Sequence, residues 1–102
     1  MKKLSVVVYL SLFLSLISYG ATKEGTGSGY NGEIKVSVEV DGNKKILSIK
    51  VIKDSEDNRI GKPALDKLIT EIIKKQSPNV DTIAGATYTS KGLMEAVSNA
   101  LK

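Results

Sequence analysis

Residues 33–53 read EIKVSVEVDGNKKILSIKVIK. From Glu33 to Val40 the residue types alternate. Ile34, Val36, Val38 and Val40 fall on one side, and Glu33, Lys35, Ser37 and Glu39 on the other. A period of two is that of a half-buried strand. Asp41-Gly42-Asn43 supplies hairpin-turn residues. Ile46 to Lys53 reads as the return strand, with Leu47, Ile49 and Val51 on one face. The two strands are expected to pair antiparallel and to leave one apolar face that must be covered.

The cover lies further along the chain. Asp54 to Lys62, "DSEDNRIGK", is a charged loop. Pro63 suits the first turn of a helix. Ala64, Leu65, Leu68, Ile69, Ile72 and Ile73 then form an amphipathic stripe. Lys74 and Lys75 fall in the last turn, where they complement the helix dipole, and Ser77-Pro78-Asn79 ends the run. Val80 to Ala84 reads as a short strand. Lys91 to Leu101 reads as a second amphipathic helix, with Leu93, Val97, Ala100 and Leu101 inward. The expected fold class is α+β: a small antiparallel sheet with two amphipathic helices packed on one face.

Before the strands lies "TKEGTGSGYNG", residues 22–32. It contains a literal G-x-G-x-x-G at Gly27, Gly29 and Gly32. The dinucleotide fingerprint must follow a strand and open a helix, and this one opens a strand instead. Residues 21–32 are expected to be a flexible lead-in, with room for a short edge strand. Residues 1–20 have the grammar of a secretory signal peptide. Lys2 and Lys3 give a positive start, Leu4 to Ile17 is an apolar run, and Ser18-Tyr19-Gly20 suits cleavage. The apolar run spans only about 21 Å as a helix, short of the ~30 Å hydrocarbon core. The expected organisation is 1–20 signal peptide, 21–32 lead-in and 33–102 domain, with an extracytoplasmic location. An uncleaved membrane anchor is the alternative.

The full chain has 102 residues, 15 Lys and Arg, 11 Asp and Glu, and a formal charge of +4. Loss of Lys2 and Lys3 with the signal segment lowers the charge to +2. Lys44-Lys45 and Lys74-Lys75 carry no interleaved aromatics for base stacking, so no nucleic-acid partner is expected. The chain has no Cys and no His. That excludes a disulfide framework, a Cys/His zinc site and any His-dependent nucleophile system. No metal ligand set and no catalytic residue are expected. A mature chain of roughly 80 residues has a thin core, which makes a bound cofactor reasonable.

Residues 81–90, DTIAGATYTS, hold the remaining chemistry. Thr87, Thr89 and Ser90 lie near a helix N-terminus. They read either as N-cap residues, with Gly85 permitting the turn, or as an anion site at the positive end of the helix dipole. Lys91 adds a charge in the first turn. The ten residues resemble the hallmark D-x-x-S-G-A-T-x-T-S of the FMN-binding domain that carries covalent flavin. That family includes the flavin-bearing C subunit of the sodium-translocating NADH:quinone oxidoreductase, the Rnf G subunit, and small flavin domains of secreted fumarate-reductase-like enzymes. Ala84 replaces the usual Ser. The likeness runs back through "QSPNVD", "RIGKPALDKL" and "GSGYNGEIKVSVEVDG", and covers nearly all of residues 25–101.

The resemblance implies that the Thr87 hydroxyl is esterified by the FMN phosphate. It implies that Asp81, Gly85 and Ala86 are recognised by a flavin transferase that takes FMN from FAD with a divalent metal. A threonine hydroxyl is a poor nucleophile, and without a His in this chain the activation must come from that enzyme. Tyr88, Thr89, Ser90, Lys91 and Glu56 are the further cofactor-binding candidates. Glu56, Ile60 and Gly61 match the family's E-T-P-G-[IL]-G stretch, whereas Asp57 stands where Thr is usual. An acidic Asp57 facing the flavin ring would disfavour its anionic reduced form. The family's aromatic before the glycine-rich stretch is missing, so the first strand is expected to be shortened. Tyr30 and Tyr88 are the only aromatics of the mature chain and read as partial packing, with Tyr88 a candidate for ring contact. No ligand-sized pocket is expected in so short a chain. The expected function is an extracytoplasmic FMN electron carrier exchanging electrons with membrane or extracellular redox proteins. The alternatives are a flavin-bearing subunit of a secreted reductase and a cofactor-free binding module.

Overall fold

In the computed structural model, residues 20–102 are described, and the signal segment expected over 1–20 lies outside them except for Gly20. The elements run β1 (Ala21–Ser28), β2 (Glu33–Val40), β3 (Ile46–Lys53), α1 (Gly61–Lys75) and α2 (Thr87–Leu101). The strands form one antiparallel sheet in the order β1-β2-β3, and the α+β expectation holds.

The alternation of β2 is realised in full: Ile34, Val36, Val38 and Val40 are all buried. They meet Leu65, Leu68 and Ile72 of α1 and Leu93, Ala96, Val97 and Ala100 of α2 in one core. The other sheet face carries charge, with Lys35 paired to Glu24 at 3.4 Å and Lys53 to Glu33 at 3.5 Å. Hydrophobic burial on one face and solvation on the other fix the register, because a slip of one residue would invert both.

The return strand departs from simple alternation. Val40 pairs with Ile46 and Glu39 with Ser48, so Leu47 is an extra residue in a bulge. Ile46 and Ile49 are buried instead, and Leu47 is exposed, against its expected inward position. Ile52 is extra in the same way between Val51 and Lys53 and is also exposed. Bulges add twist and spoil an edge for further pairing.

The glycine-rich segment is not a flexible lead-in. Residues 21–28 form an edge strand as long as the other two, paired from Ala21↔Val40 to Ser28↔Glu33. The expected shortening does not occur, because the strand is held by α2 rather than by an aromatic side chain. Gly25 and Gly27 lie opposite Val36 and Ile34, on the core face. A Cβ on Gly25 would come within 2.2 Å of the Ala96 carbonyl oxygen, and one on Gly27 within 2.1 Å of the Gly92 oxygen. The glycines therefore let α2 lie directly on the backbone of β1. Side chains of α2 also complete the strand's outer edge: Asn99 Nδ2 donates to Thr26 O at 2.8 Å, and Ser28 N donates to Glu95 Oε1 at 3.0 Å.

Val80 to Ala84 is not a strand. Val80 is buried in the core, and the backbone bonds here are local. Val80 N donates to Pro78 O, Ala86 N to Ile83 O, and Ile83 N to Ser90 Oγ. Gly85 turns the chain at φ +84, and α2 starts at Thr87, four residues earlier than the periodicity indicated.

The directions of the elements place the site. β1 ends, β2 begins and β3 ends at one pole of the domain. α1 leaves that pole beside Glu56 and finishes at Gln76, whose amide grips Ile46 at the other pole. α2 runs the same way, passing Gly29 at Gly92 and Gly25 at Ala100. Both helix N-termini thus lie at one pole, and Gly20, beside Val40, and Lys102 lie at the other.

Candidate functional site

At the pole where the helices begin there is an open cleft of about 440 Å³. It is lined by Tyr30 from the β1–β2 turn, by Asp57, Ile60 and Gly61 where α1 begins, and by Gly85, Ala86, Thr87, Tyr88 and Thr89. The expectation that this chain lacks a ligand-sized concavity is corrected. Three loops meeting at one end of the sheet make a cleft that no single element could.

Each part has a local cause. Gly29 N bonds to Gly32 O at 2.7 Å, closing a tight turn that holds Tyr30 outward. Glu56 is buried, at 4% exposure, and ties three segments together. Its Oε1 accepts from Tyr30 N and its Oε2 from Asn31 N, both at 3.0 Å. Thr89 Oγ1 donates to Oε1 from α2. A Cβ at Gly61 would sit 2.6 Å from Glu56 Cβ, so the start of α1 closes over this carboxylate. Ser90 Oγ donates to Ala86 O at 2.6 Å and accepts from Ile83 N at 3.0 Å, which locks the turn before α2.

The two helix starts differ electrostatically. At α1, Asp57 Oδ1 accepts from the N–H groups of Arg59 (3.0 Å), Ile60 (2.6 Å) and Gly61 (3.2 Å). The backbone bonds from Ile60 and Gly61 hold the Asp57 carboxyl below its usual value. At α2, the residue before the helix is Ala86, and among the described residues no side-chain hydrogen bond caps the helix start. The expected capping by Thr87, Thr89 or Ser90 does not occur, because all three lie inside the helix, where Thr89 and Ser90 bond elsewhere. The N–H groups of Thr87, Tyr88 and Thr89 begin the helix without that compensation, which favours an anion there.

Tyr30 and Tyr88 stack across the cleft, with ring centroids 6.2 Å apart and planes inclined by 28°. They stay 69% and 65% exposed. Two stacked tyrosine rings left largely in water do not fill a core. They offer aromatic surface to a planar ligand.

Of the candidates read from the sequence, the structure brings Gly85, Ala86, Thr87, Tyr88 and Thr89 together in the cleft. Glu56 lies behind it as the buried anchor. Asp81, Ser90 and Lys91 are not among the lining residues. Asp81 and Lys91 are exposed, and Ser90 is buried in the turn. Sequence reasoning missed Tyr30 as a cleft residue. Its signal was an aromatic inside a Gly-Tyr-Asn-Gly turn, a poor place for core packing.

An open cleft, an aromatic pair and an uncapped helix start bearing a hydroxyl define a small domain suited to a planar ligand with an anionic tail. The chain belongs to the FMN-binding domain family, whose sequence profile matches residues 29–102. It is 37% identical over 75 residues to an NADH:acrylate oxidoreductase of Vibrio harveyi, covering 74% of this chain and 7% of that protein. It is 38% identical over 77 residues to a urocanate reductase of Eggerthella lenta, covering 76% of this chain and 12% of that protein. An uncharacterised protein of Treponema pallidum is 28% identical over 79 residues, or 78% of this chain and 22% of that protein. The chain thus spans a small part of each relative.

The residues present fit FMN. The cleft volume lies within the range of small-ligand sites. The tyrosines suit the flavin ring, the start of α2 suits the phosphate, and Gly61, Gly85 and Ala86 keep the floor low.

Proposed function

We propose that this protein is an extracytoplasmic electron carrier that holds FMN through a phosphoester to Thr87. The observation that carries the proposal is the position of Thr87: exposed, first in α2, and beside the tyrosine pair. A phosphate joined to its Oγ falls at the uncapped amides of the first turn, where the helix dipole favours negative charge. FMN supplies the redox chemistry when bound. The chain supplies position: Thr87 would fix one end and Tyr30 and Tyr88 would offer their rings to the flavin, while Glu56 holds the turn bearing Tyr30 against the helix bearing Thr87.

Attachment falls to a flavin transferase acting on FAD. The Thr87 hydroxyl loses its proton and forms an ester bond to the FMN phosphorus. The P–O–P bond of FAD breaks, and AMP leaves. The exposure of Thr87 and the small residues Ala84, Gly85 and Ala86 give such an enzyme access, and exposed Asp81 is available for recognition on the same turn. The shallow cleft leaves part of the ring open to a docking protein, and the chain has no His or Cys to serve substrate chemistry near neutral pH. These features favour relay between redox proteins in the membrane or outside the cell. The reductases among the relatives favour a second form of this reading, in which the domain feeds electrons to a separate reductase chain.

The test is co-expression with a flavin transferase, followed by intact-mass measurement and fluorescence of the denatured band. The wild-type chain gains FMN less one water. Thr87→Ala gains nothing, and Thr89→Ala keeps at least part of the label. Label persisting on Thr87→Ala overturns the assignment.

A further inference from the structure

Asp57 lines the same cleft as Thr87 and Tyr88. Its Oδ1 is held by three backbone N–H groups at the start of α1, those of Arg59, Ile60 and Gly61. The carboxylate cannot swing away without breaking all three. Asp57 therefore brings a fixed anion to the lining of the cleft that also holds the Thr87 hydroxyl. The surrounding groups do not remove it. From the β1–β2 turn comes Tyr30, from α2 comes Tyr88, and behind the lining lies Glu56, a second carboxylate buried against Gly61 and Thr89. Lys62 of α1 is tied to Asp54 at 2.8 Å. Lys91 of α2 is exposed and outside the lining, and Arg59 lies on the same loop as Asp57, also outside it.

We propose that Asp57 controls the protonation of the reduced flavin in this cleft. The inference rests on the flavin reading above and extends it to one residue's effect. An oxidised flavin takes up two electrons with either two protons, giving a neutral ring, or one proton, giving an anionic ring. A carboxylate fixed beside the ring opposes the second negative charge. The two-proton form then persists to higher pH than it would beside a neutral residue.

The test uses flavin-loaded wild type, Asp57→Asn, Asp57→Glu and Arg59→Gln, with equal loading verified by intact mass. Asn keeps an oxygen to accept the three N–H bonds and removes only the charge. Glu keeps the charge and disturbs the bonds. Midpoint potentials are measured by dithionite titration from mildly acidic to mildly alkaline buffer. The plot of potential against pH changes slope where the reduced ring ceases to take its second proton. In Asp57→Asn this break moves to lower pH by about half a unit, a threefold change in proton affinity, as expected for one screened charge at the cleft. Arg59→Gln moves it the other way, and Asp57→Glu leaves it near wild type even where thermal stability falls. Equal loading with coincident breaks in wild type and Asp57→Asn overturns this proposal alone. Wild-type protein that takes up no flavin mass overturns it together with the reading beneath it.

Discussion

Glu56 shows how one buried carboxylate sets a site it does not line. Its two oxygens satisfy Tyr30 N, Asn31 N and the Thr89 hydroxyl. Truncation strands these donors, and leaving buried groups unpaired costs about 1–3 kcal/mol each at most sites. Glu56→Ala should therefore destabilise by on the order of 3 kcal/mol, read as a lower midpoint in urea. Glu56→Gln, which keeps one acceptor oxygen, should lose less. Asp57 is a different case, exposed and capped onto α1. Its carboxyl titrates below the ordinary 3.8 in the folded protein. A lowered folded-state value contributes stability that is present above the unfolded value and lost as pH falls through the folded one. Asp57→Asn should lower the melting temperature slightly at neutral pH and should narrow the drop between neutral and strongly acidic buffer. Equal drops in both proteins would show that the three backbone bonds do not favour the charged form.

Among the elements, β2 and α1 were legible because a simple period governs them. Each turns one regular face into the shared core. What the sequence hid was set by contacts between backbones. Gly25 and Gly27 look like a mobile leader by composition, yet they form the bed of α2, since a missing side chain carries no periodic signal. Leu47 looks inward by alternation, but the bulge opposite Glu39 and Val40 turns it out. Thr87 opens α2 although the apolar stripe starts later, because Gly85 and Ser90 build the turn locally. In the site, the threonine-bearing turn was readable as a motif. The contribution of Tyr30 was not, because it depends on a fold that brings residues 30 and 88 together. The glycine bed gives a sharp expectation. Gly27→Ala places a methyl 2.1 Å from the Gly92 oxygen, so α2 must lift from β1. The loss should be about 1–3 kcal/mol, the usual cost of overpacking. Hydrogen exchange should rise first along β1 and α2, while α1 keeps its protection.

At the scale of the whole molecule, each free edge of the sheet is bonded at one stretch by side chains from a helix or its cap. Glu95 and Asn99 bond to β1, and the Gln76 amide bonds both backbone groups of Ile46 on β3. The two bulges on β3 add to this protection. The polarity of the elements has a mechanical consequence. Gly20 and Lys102 leave the domain at the pole away from the cleft, a full length of α2 distant, or about 22 Å at 1.5 Å per residue. A neighbouring domain joined at either end becomes a pivot, and the cleft becomes the tip of a lever arm. Swivelling at the joint sweeps the tip through an arc while its face stays clear of the attachment point. Fusing a globular partner to either end should therefore leave flavin labelling of Thr87 at the wild-type rate. The same partner inserted between Asn31 and Gly32, at the tip, should stop it.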